Sequence, residues 1–170
     1  FEQVVSELGN GTVSLTNDPD ELKNSSHLVL PGVGAFSDCM ARLSGADGLI
    51  ESMQEQVFTK AKPFLGICVG MQLMADIGQE HSKTKGLGWI PGTVVSISPQ
   101  NKNIKVPHMG WNDLQFNNSN HPLTKDLSNG AHTYFVHSYH YVTKDQSHIL
   151  ATVNHGERLN AIIGRDNIVG

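Results

Sequence analysis

The sequence predicts an α/β fold: a mainly parallel open sheet flanked by helices and extended by antiparallel strands. Three observations lead there. The first half alternates short apolar runs with stretches of helical spacing, as far as about Gly78. The second half changes to successive strand-like runs with Gly, Asn or Pro between them. The 17 glycines follow no repeat period, which suits tight turns and close backbone approaches. A chain of 170 residues suits one hydrophobic core, and no low-complexity linker divides it, so a single domain is expected over 1–170.

In order along the chain, Phe1, Val4, Val5 and Leu8 fall at helical spacing, with Gly9 ending the run. TVSLT (12–16) reads as a strand by its β-branched alternation. Asp18-Pro19-Asp20-Glu21 starts a helix: Asp18 caps, Pro19 fits the first turn, and Glu21 stands where a capping box wants it. HLVLP (27–31) is a short apolar strand leading into Gly32-Val33-Gly34, and a helix follows from near Ser37. A further helix covers roughly Leu49 to Lys60, until Lys62-Pro63 breaks it. PFLGI (63–67) is a buried strand, and MQLMADIG a helix ending near Gly78. GTVVSIS, KVPHMGWNDL, HTYFVHSY, HILATVNHG and NAIIGRDNIVG then read as strands, with NHG (154–156) at a hairpin turn.

Bulk properties exclude several roles. A formal net charge of −4 with no run of Lys or Arg gives no pull toward nucleic acid or an anionic membrane. Two cysteines, Cys39 and Cys68, make no disulfide framework and read as free thiols in a reducing compartment. No signal peptide or membrane-length apolar run appears, so a cytoplasmic protein is expected. Nine histidines raise the question of a metal, but neither H-E-x-x-H nor C-x-x-C occurs. No metal and no cofactor are expected.

The chemistry concentrates at Gly66-Ile67-Cys68-Val69-Gly70, a G-x-C-x-G form of the nucleophile elbow. A strand must turn sharply into a helix while presenting the nucleophile at the tip, and the flanking residues must be small where backbones crowd together. Cys68 would then stand at a helix N-terminus, whose dipole favours negative charge, and the Val69 N–H would offer half an oxyanion hole. The glycine-rich strand end Pro31-Gly32-Val33-Gly34 could offer the other half. The plain alternative is a buried cysteine at a glycine-rich strand end. Strand before, helix after and a second glycine-rich strand end weigh against it. Cys39 lacks those features and reads as a helix-face residue.

With both motifs in view, the chain resembles the class I (triad-type) glutamine amidotransferases, whose fold is flavodoxin-like. The resemblance is narrowest to the glutaminase subunit of imidazole glycerol phosphate synthase, in histidine biosynthesis. The strings that carry it are LVLPGVGAF (28–36), PFLGICVGMQLM (63–74), GLGWIPG (86–92), KVPHMGWN (105–112) and YFVHSY (134–139). It implies that Cys68 forms a glutamyl thioester, with Val33, Gly34 and Val69 stabilising the oxyanion. Gly32, Gln72, His137, Ser138 and Tyr139 would hold glutamine. Pro107, His108, Met109, Gly110 and Trp111 would face a (βα)8-barrel cyclase partner and the route of ammonia. From the residues alone, Gln72 could equally be a solvated helix residue, and His137 and Trp111 core residues.

The resemblance also implies a base and an orienting carboxylate from a His-Pro-Glu string beyond a late strand, and no His-Pro-Glu occurs in this sequence. It further implies an opening strand with a glycine-rich turn that is not present. The sequence therefore reads as truncated at both ends, and residues 1–170 alone are expected to be severely impaired as a glutaminase. Two rival readings are another class I amidotransferase subunit, of the anthranilate or pyridoxal phosphate type, and a non-catalytic binding module of the same fold.

Overall fold

The computed structural model describes residues 2–7, 11–117 and 121–170. The opening helix is α1 (Glu2–Glu7). Phe1, Leu8, Gly9 and the side chain of Val4, on which its expected spacing and stop rest, lie outside the described residues. Residues 12–16 form no strand. Leu15 is 97% exposed, and among the described residues no strand pairs with this segment; a β-branched run needs a ladder neighbour to become a strand. Helix α2 (Pro19–Asn24) starts as expected, with Asp18 accepting from the Asp20 N–H at 2.8 Å. The reciprocal half of the box differs: the Asp18 N–H donates to Thr16 Oγ1, not to Glu21.

Strand β1 (Leu28–Gly32), helix α3 (Phe36–Ser44) and helix α4 (Leu49–Gln54) follow in turn. The expected single helix to Lys60 instead widens into a π-helical turn over Glu55–Thr59. Strand β2 (Phe64–Cys68) runs directly into α5 (Val69–Gln72).

Helix α5 has four residues, Val69–Gln72, where the sequence led to an eight-residue helix over MQLMADIG. The carbonyls that would carry it onward are taken by the GLGWIPG loop. Leu87 N–H donates to Leu73 O, Gly88 N–H to Ala75 O, and Trp89 N–H to Met74 O, at 2.8–2.9 Å. The chain therefore leaves the helix, and Ile77–Gly78 becomes strand β3. The apolar spacing that mimics a longer helix arises because Leu73, Met74 and Ala75 are all buried in the core.

The remaining strands are β4 (Thr84–Lys85), β5 (Gly92–Ser96), β6 (His108–Asp113), β7 (Gln115–Phe116), β8 (His132–His137), β9 (Tyr139–Thr143), β10 (Ile149–Asn154), β11 (Arg158–Arg165) and β12 (Ile168–Val169). A six-stranded sheet has the order β1-β2-β12-β11-β10-β7; its β1, β2 and β12 are parallel and the rest antiparallel. A second sheet runs β4-β3-β5-β9, and β6 pairs with β8 in a two-stranded ribbon. The α/β class holds, with the parallel pairing gathered around β2. The main core packs Phe36, Met53, Val57, Phe64, Met74, Ile90 and Ile168 between the sheet and the helices. Trp89 meets Phe58 and Phe64 edge-on there. The core fixes β2 and β12, and so fixes where β2 ends.

Candidate active site

The junction of β2 and α5 is as tight as the glycines require. β1 and β2 are in parallel register from Leu28↔Phe64 to Gly32↔Cys68. A Cβ on Gly70 would lie 1.8 Å from the Leu30 carbonyl oxygen, and one on Gly66 would lie 2.8 Å from backbone atoms of Gly70 and Met71. Only glycine lets β1 come that close to α5. The strain of the turn falls on Cys68, at φ 56° and ψ −117°, a conformation that a non-glycine residue rarely adopts. Cys68 is exposed, so the sulfur is presented at a sharp, strained corner and not packed in hydrocarbon.

The backbone donors named from the sequence gather around this corner. Val69 is the first residue of α5. Val33 follows Gly32, the β1 residue paired with Cys68, and is 89% exposed. Gly34 takes φ 119°, so the loop turns away at once. Cys39 lies in α3, and its Sγ is 3.7 Å from the Val33 carbonyl oxygen of this loop. Peptide planarity then sends the Gly34 N–H away from that sulfur. Burial pushes the Cys39 thiol above its ordinary range, which keeps it in the thiol form. Glu80, which the sequence did not single out, accepts the Phe36 N–H at 2.7 Å and caps α3 beside the same loop.

Gln72 is buried, which excludes a solvated role, and its Nε2 donates to the Tyr139 carbonyl at 3.2 Å. That bond brings the segment His137-Ser138-Tyr139 against α5. The His137 Nδ1 lies 2.9 Å from the same carbonyl.

The ribbon of β6 and β8 sorts its side chains by alternation. One face carries Met109 and Trp111, 61% and 71% exposed, opposite Val136 and Tyr134, which are also exposed. Trp111 meets Tyr134 edge-on at 5.6 Å. Gly110 sits between Met109 and Trp111, and Pro107 is exposed just before the strand. His108 differs from the outward placement expected of it. It is 3% exposed, with its ring between Phe135 at 4.5 Å and His155 at 4.2 Å. Strand alternation, applied to 107–111 and 132–137 together, would have separated these two faces and found Tyr134 and Val136. Nothing in the sequence signals that His155 would stack here. The clustered imidazoles bond to one another and to carbonyls; among the described residues no group of three His, Cys, Asp or Glu could hold a metal ion.

A strained, exposed cysteine between a parallel strand pair and a short helix has the layout of the nucleophile elbow of an α/β enzyme. Residues 4–170 match the family Glutamine amidotransferase class-I, and the chain belongs to it. A solved structure titled "Crystal structure of glutamine amidotransferase" superposes with a TM-score of 0.72 over 99% of this chain and 79% of that one, at 14% identity, a likeness of fold. Within the class, the chain belongs with the imidazole glycerol phosphate synthase subunit HisH. It is 49% identical to that subunit of Ruegeria pomeroyi over 170 residues, all of this chain and 80% of the relative. It is 49% identical to that of Rhodospirillum rubrum over 158 residues, 93% of this chain and 74% of the relative. The Cereibacter sphaeroides subunit is 45% identical over 170 residues, covering this whole chain and 80% of its own length. Among the described residues, no helix is long and apolar enough to cross a membrane.

Proposed function

We propose that this chain, acting as one domain in the cytoplasm, hydrolyses glutamine through Cys68 and supplies the ammonia to the synthase subunit of imidazole glycerol phosphate synthase. The observation that carries the proposal is the exposed Cys68 thiol at positive φ, level with Gly32 on the neighbouring strand. The Cys68 sulfur attacks the side-chain amide carbon, and the developing oxyanion takes hydrogen bonds from the N–H groups of Val69 and of Val33 or Gly34. The C–N bond breaks, and the departing nitrogen gains a proton and leaves as ammonia. Water then cleaves the thioester to glutamate and the free thiol.

Gly32 makes room for the substrate. Gln72 and the segment His137-Ser138-Tyr139 form the wall that receives its amino-acid end. The proton-transferring base belongs, by family resemblance, to a His-Pro-Glu string past a late strand. β12 supports that assignment, since it runs parallel to β2 with Ile168↔Phe64 and Val169↔Leu65.

The ribbon face of Met109, Trp111, Tyr134 and Val136 receives the partner, which we take to be a (βα)8-barrel cyclase. Released ammonia would be protonated in bulk water, so a docked acceptor protects it.

The test is Cys68→Ala in the full-length protein, assembled with its synthase partner. Glutamine hydrolysis should fall by about 10⁴-fold or more, while synthesis driven by added ammonium salt stays unchanged. Retention of a tenth of the glutaminase rate, with the substitution verified by mass, would refute the assignment.

A further inference from the structure

The buried face of the β6–β8 ribbon carries a chain of hydrogen bonds with one consistent direction. A carbonyl oxygen can only accept, so the His137 Nδ1, 2.9 Å from the Tyr139 oxygen, carries the proton. In a neutral ring the His137 Nε2 then accepts, and its partner at 2.8 Å, the His108 Nδ1, donates. The His108 Nε2 accepts in turn from the Asn112 Nδ2 at 3.0 Å. Asn112 Nδ2 also donates to the Asn154 carbonyl at 3.0 Å, which ties the far end of the chain to β10.

Both rings are neutral at neutral pH. Burial, with His137 and His155 nearby, pushes His108 down to about 4, and burial holds His137 below its usual range. The chain ends at the Tyr139 carbonyl, which also accepts from Gln72 on the helix that follows Cys68. The sandwich of Phe135 and His155 leaves the His108 ring little freedom to turn.

We infer that His108 is a positioning residue for glutamine: through His137 it holds the Tyr139 carbonyl and thereby sets the His137–Tyr139 segment against α5. This inference rests on the proposed function, because that segment is read as the wall that receives glutamine. His108 itself lies one imidazole away and touches no reacting atom. Its work is to fix the tautomer and tilt of His137, so that the bond to Tyr139 is always made from Nδ1.

Two variants separate this role from plain packing. His108→Phe keeps a flat ring between Phe135 and His155 but removes the donor. His108→Asn loses much of the ring but keeps a donor near the place of Nδ1. In the full-length protein with its partner, the Phe variant should raise KM for glutamine about tenfold and change kcat less than threefold, and the Asn variant should recover most of that loss. Packing alone predicts the opposite ranking.

Nitrogen-correlated NMR of the unmodified protein should show His137 protonated at Nδ1. An Nε2-protonated His137, or a Phe variant with wild-type KM, overturns the inference. The proposed function fails separately, if the unmodified protein forms no covalent adduct at Cys68.

Discussion

Placing a methyl group on Gly70 tests the elbow where its tolerance is least. The Cβ of Gly70→Ala would stand 1.8 Å from the Leu30 oxygen, 2.8 Å from the Leu30 carbonyl carbon and 3.3 Å from its Cγ. Carbon and oxygen in ordinary contact need a little over 3 Å, so β1 and α5 must part by roughly 1 Å or more. Neither can do so freely. β1 is in parallel register with β2 along five residues, and α5 starts at the residue after β2 ends. Overpacking of this kind costs about 1–3 kcal/mol, and a clash with backbone belongs at the upper end or beyond. The same displacement moves Gly32 and the Val33–Gly34 loop relative to Cys68. A misplacement of about 1 Å at a reacting centre costs on the order of 10²-fold in rate. The assays are urea unfolding of the variant and its glutaminase rate in the assembled synthase. We expect a loss of about 3 kcal/mol and, in whatever folds, a rate at least about 100-fold lower. Wild-type stability together with wild-type turnover would show that β1 and α5 do not meet as described.

Other expectations follow from the ribbon and its histidines. His108 takes a proton near 4 in the fold against 6.5 in the unfolded chain, so the unfolded chain binds more protons between those values. Stability should therefore be full above about pH 6.5 and fall by roughly 3 kcal/mol as pH drops toward 4, with His137 and His140 adding in the same direction because burial lowers them too. Urea titrations from pH 7 to 4.5 would read this, and a flat profile would contradict the neutral cluster. Trp111→Ala removes an exposed ring and its edge contact with Tyr134, so unfolding should change by less than about 1 kcal/mol. Affinity for the synthase partner should fall by about 2 kcal/mol or more, measured by calorimetry; unchanged affinity would move the docking surface elsewhere.

Much of this arrangement was legible in the residues, for identifiable reasons. The elbow was readable because Gly66, Cys68 and Gly70 stand within five residues and Gly66 is demanded by its own near neighbours Gly70 and Met71, although the contact that demands Gly70 comes from Leu30 on β1. The start of α2 was readable because its cap is local, from Asp18 to Asp20. What escaped depends on partners distant in sequence. TVSLT has the alternation of a strand but pairs with no strand among the described residues, and α5 is cut short by a loop that begins at Gly86. The capping of α3 by Glu80 joins residues 44 apart, and the contact of His108 with His137 joins residues 29 apart. No local pattern announces such bonds. Alternation along β6 and β8 does carry the division into an outward face and an inward one, and it separates Trp111 from His108 where the motif string runs them together.

The most direct measurement is covalent labelling of the assembled full-length protein with a glutamine-analogue electrophile, mapped by peptide mass. The account predicts one adduct per chain, on Cys68, slowed in proportion to added glutamine, with Cys39 unmodified because it is half-buried beside the Val33 carbonyl and its thiol is held above the ordinary range. Modification of Cys39 at a comparable rate, or labelling of Cys68 that glutamine does not slow, would contradict it.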